Sequence, residues 1–223
     1  MDYIDLNVGN KIVKIRKWKV KDRENFKKEL LKNKESAEKI AKATLDTLVY
    51  NCLDKEYALN PDELQYVFNN IRINSISDEV DFKYICKNCN KQESQKIKIS
   101  DVHKGHFSNE DKIEVKNVII LLQDIKNAKM YNDTIFKSET PWIDDLIYHI
   151  KSINGDESMS FQALKDYFMD LDVDILDEIM DKYDNIRFRL DKEYDVTCPD
   201  CGNTHTYIFD EIPDFLPQKW LSR

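Results

Sequence analysis

Two Cys-x-x-Cys pairs, Cys86-Lys87-Asn88-Cys89 and Cys198-Pro199-Asp200-Cys201, are the side chains whose types and spacing could do chemistry in this sequence. A Cys-x-x-Cys turn sets two sulfurs on one side of a loop, and zinc takes four thiolates at about 2.3 Å in closed structural sites. Glycine at position 202, directly after the second pair, permits the positive φ that brings backbone amides towards sulfur. A redox dithiol has the same spacing, but thioredoxin-like chemistry wants its pair at the start of a helix in a βαβ unit. Strand-like runs flank both pairs here. The expectation is one structural Zn2+ per chain, held by Cys86, Cys89, Cys198 and Cys201, with a redox or cluster role and free thiols as alternatives. Four thiolates leave no open position for water or substrate, so such a metal clamps the fold and does not catalyse. The 108 residues from 90 to 197 separate the pairs, so the clamp joins two distant parts of the chain.

The other candidates carry less. Cys52 falls on the apolar face of a helical pattern and reads as a buried core thiol. His205 could replace a cysteine, yet it alternates with Tyr207 along a strand, which favours a surface position or a place behind the ligands. His103 and His106 read as a solvent-exposed connection, and His149 as the edge of a helix core. Asp170, Asp172, Asp174 and Asp177 lack the glycine and closing glutamate of a calcium loop. There is no Gly-rich phosphate loop, nucleophile elbow or His-Glu-x-x-His element. No catalytic residue is assigned, and the chain is read as a non-enzyme.

Periodicity supplies the elements that must position the cysteines. Residues 11–20 read as an opening strand, and from Asp22 a helix turns Phe26, Leu30 and Leu31 inward. A longer amphipathic helix follows with Ala37, Ile40, Ala41, Leu45, Leu48, Val49 and Cys52 on one face. Asn60-Pro61-Asp62-Glu63 opens another helix, in which Leu64, Val67, Phe68 and Ile71 form the stripe. Val80, Phe82 and Tyr84 alternate into Cys86, and Ile97 and Ile99 alternate beyond it, which places the first pair at a hairpin tip. Residues 113–122 read as one strand and 123–140 as an exposed connection. Helices are expected from Pro141, through Phe161–Phe168 and from Asp174, with a turn at Asn154-Gly155-Asp156. Phe188, Leu190, Tyr194 and Val196 then lead into Cys198, and Tyr207 and Phe209 leave it. The fold class is α+β: helical bundle segments with short antiparallel strands and two Cys-x-x-Cys hairpins brought together on one zinc. Two parts follow, an N-terminal strand–helix half over 1–102 and a C-terminal helical half over 103–223, each ending in a zinc hairpin.

Composition is that of a globular protein, 41% hydrophobic and 34% charged. No apolar run approaches the roughly 20 residues that cross a bilayer. The N-terminus lacks the basic start and apolar core of a signal peptide, so cytoplasm is the default compartment, a host's if the gene is viral. Charge is uneven. Residues 1–34 hold eleven Lys or Arg against five acids, a net of +6, which leaves −14 on the other 189 residues of a chain whose total is −8. A basic lead on an acidic body could mark a nucleic-acid arm, but a solvated helix face or an acidic protein partner is the plainer reading.

The order of several runs resembles a known family. Lys14–Asn25 contains a short basic strand leading into a helix, and Thr47-Leu48-Val49-Tyr50-Asn51-Cys52 ends the next one. Leu64-Gln65-Tyr66-Val67-Phe68, Ile71-Arg72 and Ser75-Ile76 follow, then a strand into Cys-x-x-Cys, with Cys-Pro-x-Cys-Gly and an aromatic strand near the end. Residues 12–102 in particular resemble the T-even bacteriophage baseplate protein family, which includes a baseplate hub subunit and a related hub-assembly catalyst. Residues 103–185 are the poorest match. The resemblance implies a structural or assembly role in a contractile-tail baseplate hub, through binding to other hub and tail proteins, in the virion or in host cytoplasm during assembly. No small-molecule substrate and no membrane enter this reading, and the alternative is a nucleic-acid-binding zinc protein that uses the basic N-terminal segment. Candidate partner contacts are Arg16 and Trp18 on the basic strand, and Phe215 and Trp220 in the C-terminal tail, where a Trp is either a core plug or a docking anchor.

Overall fold

Apolar residues alternate on either side of Gly9-Asn10, and the chain folds back there into a hairpin. Strand β1 (Ile4–Val8) pairs antiparallel with β2 (Lys11–Ile15), Ile4 opposite Ile15, and Gly9 takes φ 60° at the turn. The computed structural model describes residues 2–32, 44–135 and 137–209. The chain divides into two compact units: Met1–Lys55, Glu63–Gly105 and Leu190–Arg223 form the first, Glu56–Asp62 and His106–Arg189 the second. The closing hairpin thus belongs with the first unit and not with the helices that precede it in sequence, because its inward side chains pack on the first cysteine hairpin.

In unit 1, helix α1 (Val20–Lys32) buries Phe26. Leu31 faces outward, against expectation, because five helical positions from Phe26 carry it about 140° round the axis. The expected helix over residues 37–52 falls partly outside the described residues. Its described end is a π-helical turn at Leu45–Val49 and a 3-10 turn at Tyr50–Cys52, with Leu48, Val49 and Cys52 fully buried. Side chains from the β2–α1 link bind the carbonyls left free by this irregular end: Trp18 Nε1 donates to Leu48 O (2.7 Å) and Arg16 Nη2 to Asn51 O (2.6 Å). Helix α2 (Pro61–Ser75) buries Val67, Phe68 and Ile71. Near its C-terminus Arg72 donates to the carbonyls of Ser77 and Glu79, which fixes the entry to strand β3 (Glu79–Ile85). Strand β4 (Gln92–Lys98) returns antiparallel, with Tyr84 opposite Glu93 and Val80 opposite Ile97, and runs into the short helix α3 (Ile99–Val102). Strands β8 (Glu193–Thr197) and β9 (Thr204–Ile208) make the second such hairpin, with Tyr194 opposite Tyr207 and Val196 opposite His205.

Unit 2 is a three-stranded antiparallel sheet with helices. The single strand expected over 113–122 is a hairpin, β5 (Lys112–Val115) and β6 (Val118–Leu122), folded at Lys116-Asn117 with Lys116 at φ 52°. Lys116 and Asn117, polar at the centre of an apolar run, form its two-residue turn. Strand β7 (Ile150–Ile153) adds to β6 directly after helix α5 (Pro141–His149). The connection expected over 123–140 contains helix α4 (Ala128–Ile135), whose Tyr131 is buried. Helices α6 (Phe161–Met169) and α7 (Val173–Ile186) complete the core, where Ile120, Leu146, Phe168 and Ile179 meet. Ser160 caps α6 by accepting from Ala163 N. One buried carboxylate organises the polar part of this core: Asp145 accepts from Tyr131 OH (2.7 Å), Tyr183 OH (3.0 Å) and Arg187 Nη1 (3.0 Å).

Candidate metal centre

Each cysteine pair follows directly on a strand, β3 ending at Ile85 and β8 at Thr197. The two turns then repeat one hydrogen-bond pattern. Cys86 N donates to Lys91 O (2.9 Å) and Asn90 N to Cys86 O (2.8 Å); Cys198 N donates to Asn203 O (2.8 Å) and Gly202 N to Cys198 O (2.9 Å). The residue after each second cysteine is left-handed, Asn90 at φ 58° and Gly202 at φ 72°. Glycine and asparagine are the residues that visit that region most readily. The sequence signalled this conformation at Gly202 only; Asn90 serves the same geometry with a different side chain.

The two turns meet tip to tip. Cys86 Sγ lies 3.6 Å from Cys201 Sγ, Cys89 Sγ lies 3.8 Å from Cys198 Sγ, and all four sulfurs fall within 4.8 Å of one another. Around a tetrahedral ion with bonds of about 2.3 Å, sulfurs stand about 3.8 Å apart, so this donor set fits one tetrahedral thiophilic metal. All five cysteines are free, and Cys52, buried far from this cluster in the sequence and paired with no sulfur, has its thiol pushed up to about 12 by burial. Cys201 and Cys89 are shifted in opposite directions. The Asn203 amide and the Asn88 side chain bring Cys201 down to about 6. Cys89 is pushed up to about 12: the Lys91 amide favours its thiolate, but burial and the neighbouring sulfurs outweigh it. Four sulfurs this close cannot all carry charge unaided, and a divalent cation removes that penalty by drawing all of them to thiolates.

The surroundings hold the turns in place. Below the sulfurs, Phe82 and Tyr84 of β3 pack with Tyr207 of β9 and with Phe209, ring centroids 5.0–5.5 Å apart. Tyr84, Cys86, Val196 and Cys198 are the buried centre of this cluster. Lys91 and Asp200, one from each turn, form an exposed ion pair at 2.6 Å. His205 is opposite Val196 on the inward face, and its Nε2 lies 3.3 Å from Cys86 Sγ, in position to donate to that sulfur from behind. His103 corrects an expectation. It is buried, with Nε2 2.7 Å from Phe209 O and Nδ1 2.6 Å from Asn69 Nδ2, because the chain leaving β9 passes over it; only His106 is exposed.

The partner-contact candidates are placed differently from one another. Arg16 is turned into the fold: Nη1 meets Asp22 Oδ2 at 2.7 Å and both side chains are buried. Trp18 is half-buried, its amide donating to Ser75 Oγ (2.8 Å) and its ring 5.7 Å from Phe68. Phe215 and Trp220 lie outside the described residues.

The profile of one protein family, described as T4 bacteriophage base plate protein, matches residues 1–217 of the 223. The chain belongs to that family. No curated protein and no solved structure matches it. As a T4-type baseplate protein it carries both cysteine turns inside the matched region, together with the helices and strands that present them. A baseplate protein works as part of an assembly, and binding to other phage proteins is the coarse role the family supplies. No helix among the described residues is long and apolar enough to cross a membrane.

Proposed function

We propose that this baseplate protein is a hub component or hub-assembly factor that acts by protein–protein binding and is held in shape by one structural zinc on Cys86, Cys89, Cys198 and Cys201. The observation that carries the zinc reading is the convergence of four sulfurs, from hairpins 108 residues apart, to within 4.8 Å. Zinc suits them because it takes four thiolates tetrahedrally and asks for nothing else. The ion supplies cross-linking, not reactivity: all four coordination positions belong to protein, and the chain has no chemistry of its own in this role. Its own residues do the rest, with Lys91 and Asp200 aligning the turns and His205 facing Cys86. Metal analysis of the purified chain should return one zinc per chain, and a value near zero after anaerobic purification overturns the zinc reading.

Support for an interaction role comes from the family, from a donor set with no open position, and from the uneven surface charge. The nucleic-acid reading draws on the basic N-terminal segment, but Arg16 there is spent on Asp22 inside the fold. Quantitative mass spectrometry of purified particles against infected-cell lysate separates the two hub roles. A few copies per particle make the chain a component; presence in lysate alone makes it an assembly factor; absence from both removes the hub role.

A further inference from the structure

The +6 segment at the start of the chain and the −14 remainder are not spread evenly over the surface. On α1 and the link before it, Lys17, Lys19, Lys21 and Lys28 are exposed and form no ion pair among the described residues. Between them stand two large apolar side chains, Val20 (70% exposed) and Leu31 (60%). They are eleven residues apart, which returns them to within about 20° on the helix, so they share one face. Lys27 and the ion-paired Glu24 lie between them, so the face combines two exposed apolar side chains with a surplus of lysine, the apolar and charged elements of a docking surface.

The same chain carries a face of opposite sign. Where α6 passes into α7, Met169 (61% exposed) ends one helix and Val173 (73%) begins the next, four positions apart in sequence. Around them Asp170, Asp172, Asp177 and Asp181 are exposed and form no ion pair among the described residues, whereas Asp174 is taken by Lys116 at 2.6 Å and Glu178 by Lys182 at 3.0 Å. Val173, Asp177 and Asp181 follow one another at four-residue spacing, a single stripe along α7. Two exposed apolar residues beside four acids complement two exposed apolar residues beside four lysines.

We propose that these faces bind each other between copies: the α1 face of one chain docks on the α6–α7 face of a second copy. Because the two patches differ, the contact is heterologous, and successive copies add head to tail until the rotation closes a ring or the array stays open. The contact is independent of the cysteine cluster, whose residues none of these are.

Sedimentation velocity of the full chain, metal-replete and reduced, tests this at about 50 mM and 500 mM salt, since rim charges separated by more than about 10 Å are screened well before 0.5 M. Association at low salt that weakens at least tenfold at high salt is expected. Lys19→Glu/Lys21→Glu/Lys28→Glu and Asp170→Lys/Asp177→Lys/Asp181→Lys should each run as monomer alone, associate when mixed, and associate again when all six substitutions are in one chain. Unchanged circular dichroism and melting show that each variant is folded. A wild-type chain that stays monomeric at about 100 μM in low salt overturns the proposal, as does association that persists in either triple variant. Capture of duplex DNA by the α1 lysines, with no self-association, assigns that face to nucleic acid instead.

Discussion

Gly202 and Asn90 do the same work at φ 72° and 58°, and a β-carbon at 202 would meet nothing within 4 Å. The penalty for substituting Gly202 is therefore backbone strain and not a clash. Gly202→Ala should cost about 1–2 kcal/mol in denaturant titration of the metal-loaded protein, while Gly202→Asn, which copies the first turn, should cost clearly less. His205 acts through the Cys86 sulfur. His205→Ala should raise the rate and extent of metal loss to a chelator, with affinity down about 10–100-fold, while the fold of the loaded protein stays as it was. Arg16 and Asp22 are a buried pair, and removing one charge strands the other. Asp22→Asn should cost about 3–5 kcal/mol. The pH dependence has a definite sign. Burial pushes the Asp22 carboxyl up, but the Arg16 hydrogen bond and the Lys19 amide outweigh it and hold it below the usual carboxylate range. A carboxyl depressed in the folded state stabilises above its unfolded pKa of about 3.9. That stability is lost as pH falls through and below this value, so acid melts should show wild type converging on Asp22→Asn.

At the scale of elements, two hairpins meet in two places: sulfurs at the tips, and rings of Phe82, Tyr84, Tyr207 and Phe209 along the stems. Structural zinc can contribute about 10–16 kcal/mol of apparent folding free energy in small systems, far more than any ring pair. Chelation or Cys198→Ser should therefore deprotect amides in both hairpins at once, residues 79–98 and 193–208, when followed by hydrogen exchange. Protection that falls in one hairpin alone would contradict a shared metal. The aromatic stems should keep some residual order, so loss is expected to be steepest at the turns.

For the whole molecule, unit 2 has its own apolar core and its own buried carboxylate at Asp145, neither of which includes a cysteine of the cluster. Chains with separate cores need not melt in one step. Calorimetry with and without chelator should therefore shift one transition and leave a second in place. A single transition that moves as a whole would mean the metal governs both units. In the particle, the family role requires binding surfaces, and the exposed Lys21 and Lys28 of α1 and Asp177 and Asp181 of α7 are where salt-sensitive contacts would be sought first.

Much of this was determined by residue type and spacing alone. Two Cys-x-x-Cys pairs between alternating runs were enough to place both turns at hairpin tips, because a period of two and a tight turn are local properties. The buried stripe of α2, the start of α5 at Pro141 and the turn at Asn154-Gly155 were legible for the same reason. What local pattern could not decide was anything set by distant neighbours. The break of residues 113–122 into two strands depended on β7 being available to pair with β6. The helix at Ala128–Ile135 depended on a partner for Tyr131 at Asp145. Burial of His103 depended on the carbonyl of Phe209, 106 positions away, and Arg16 was drawn inward by Asp22 and by carbonyls of a helix end it could not announce. That the closing hairpin belongs with the first unit was likewise a tertiary decision, since the sulfurs and rings that join the hairpins are near in space and far apart in the chain.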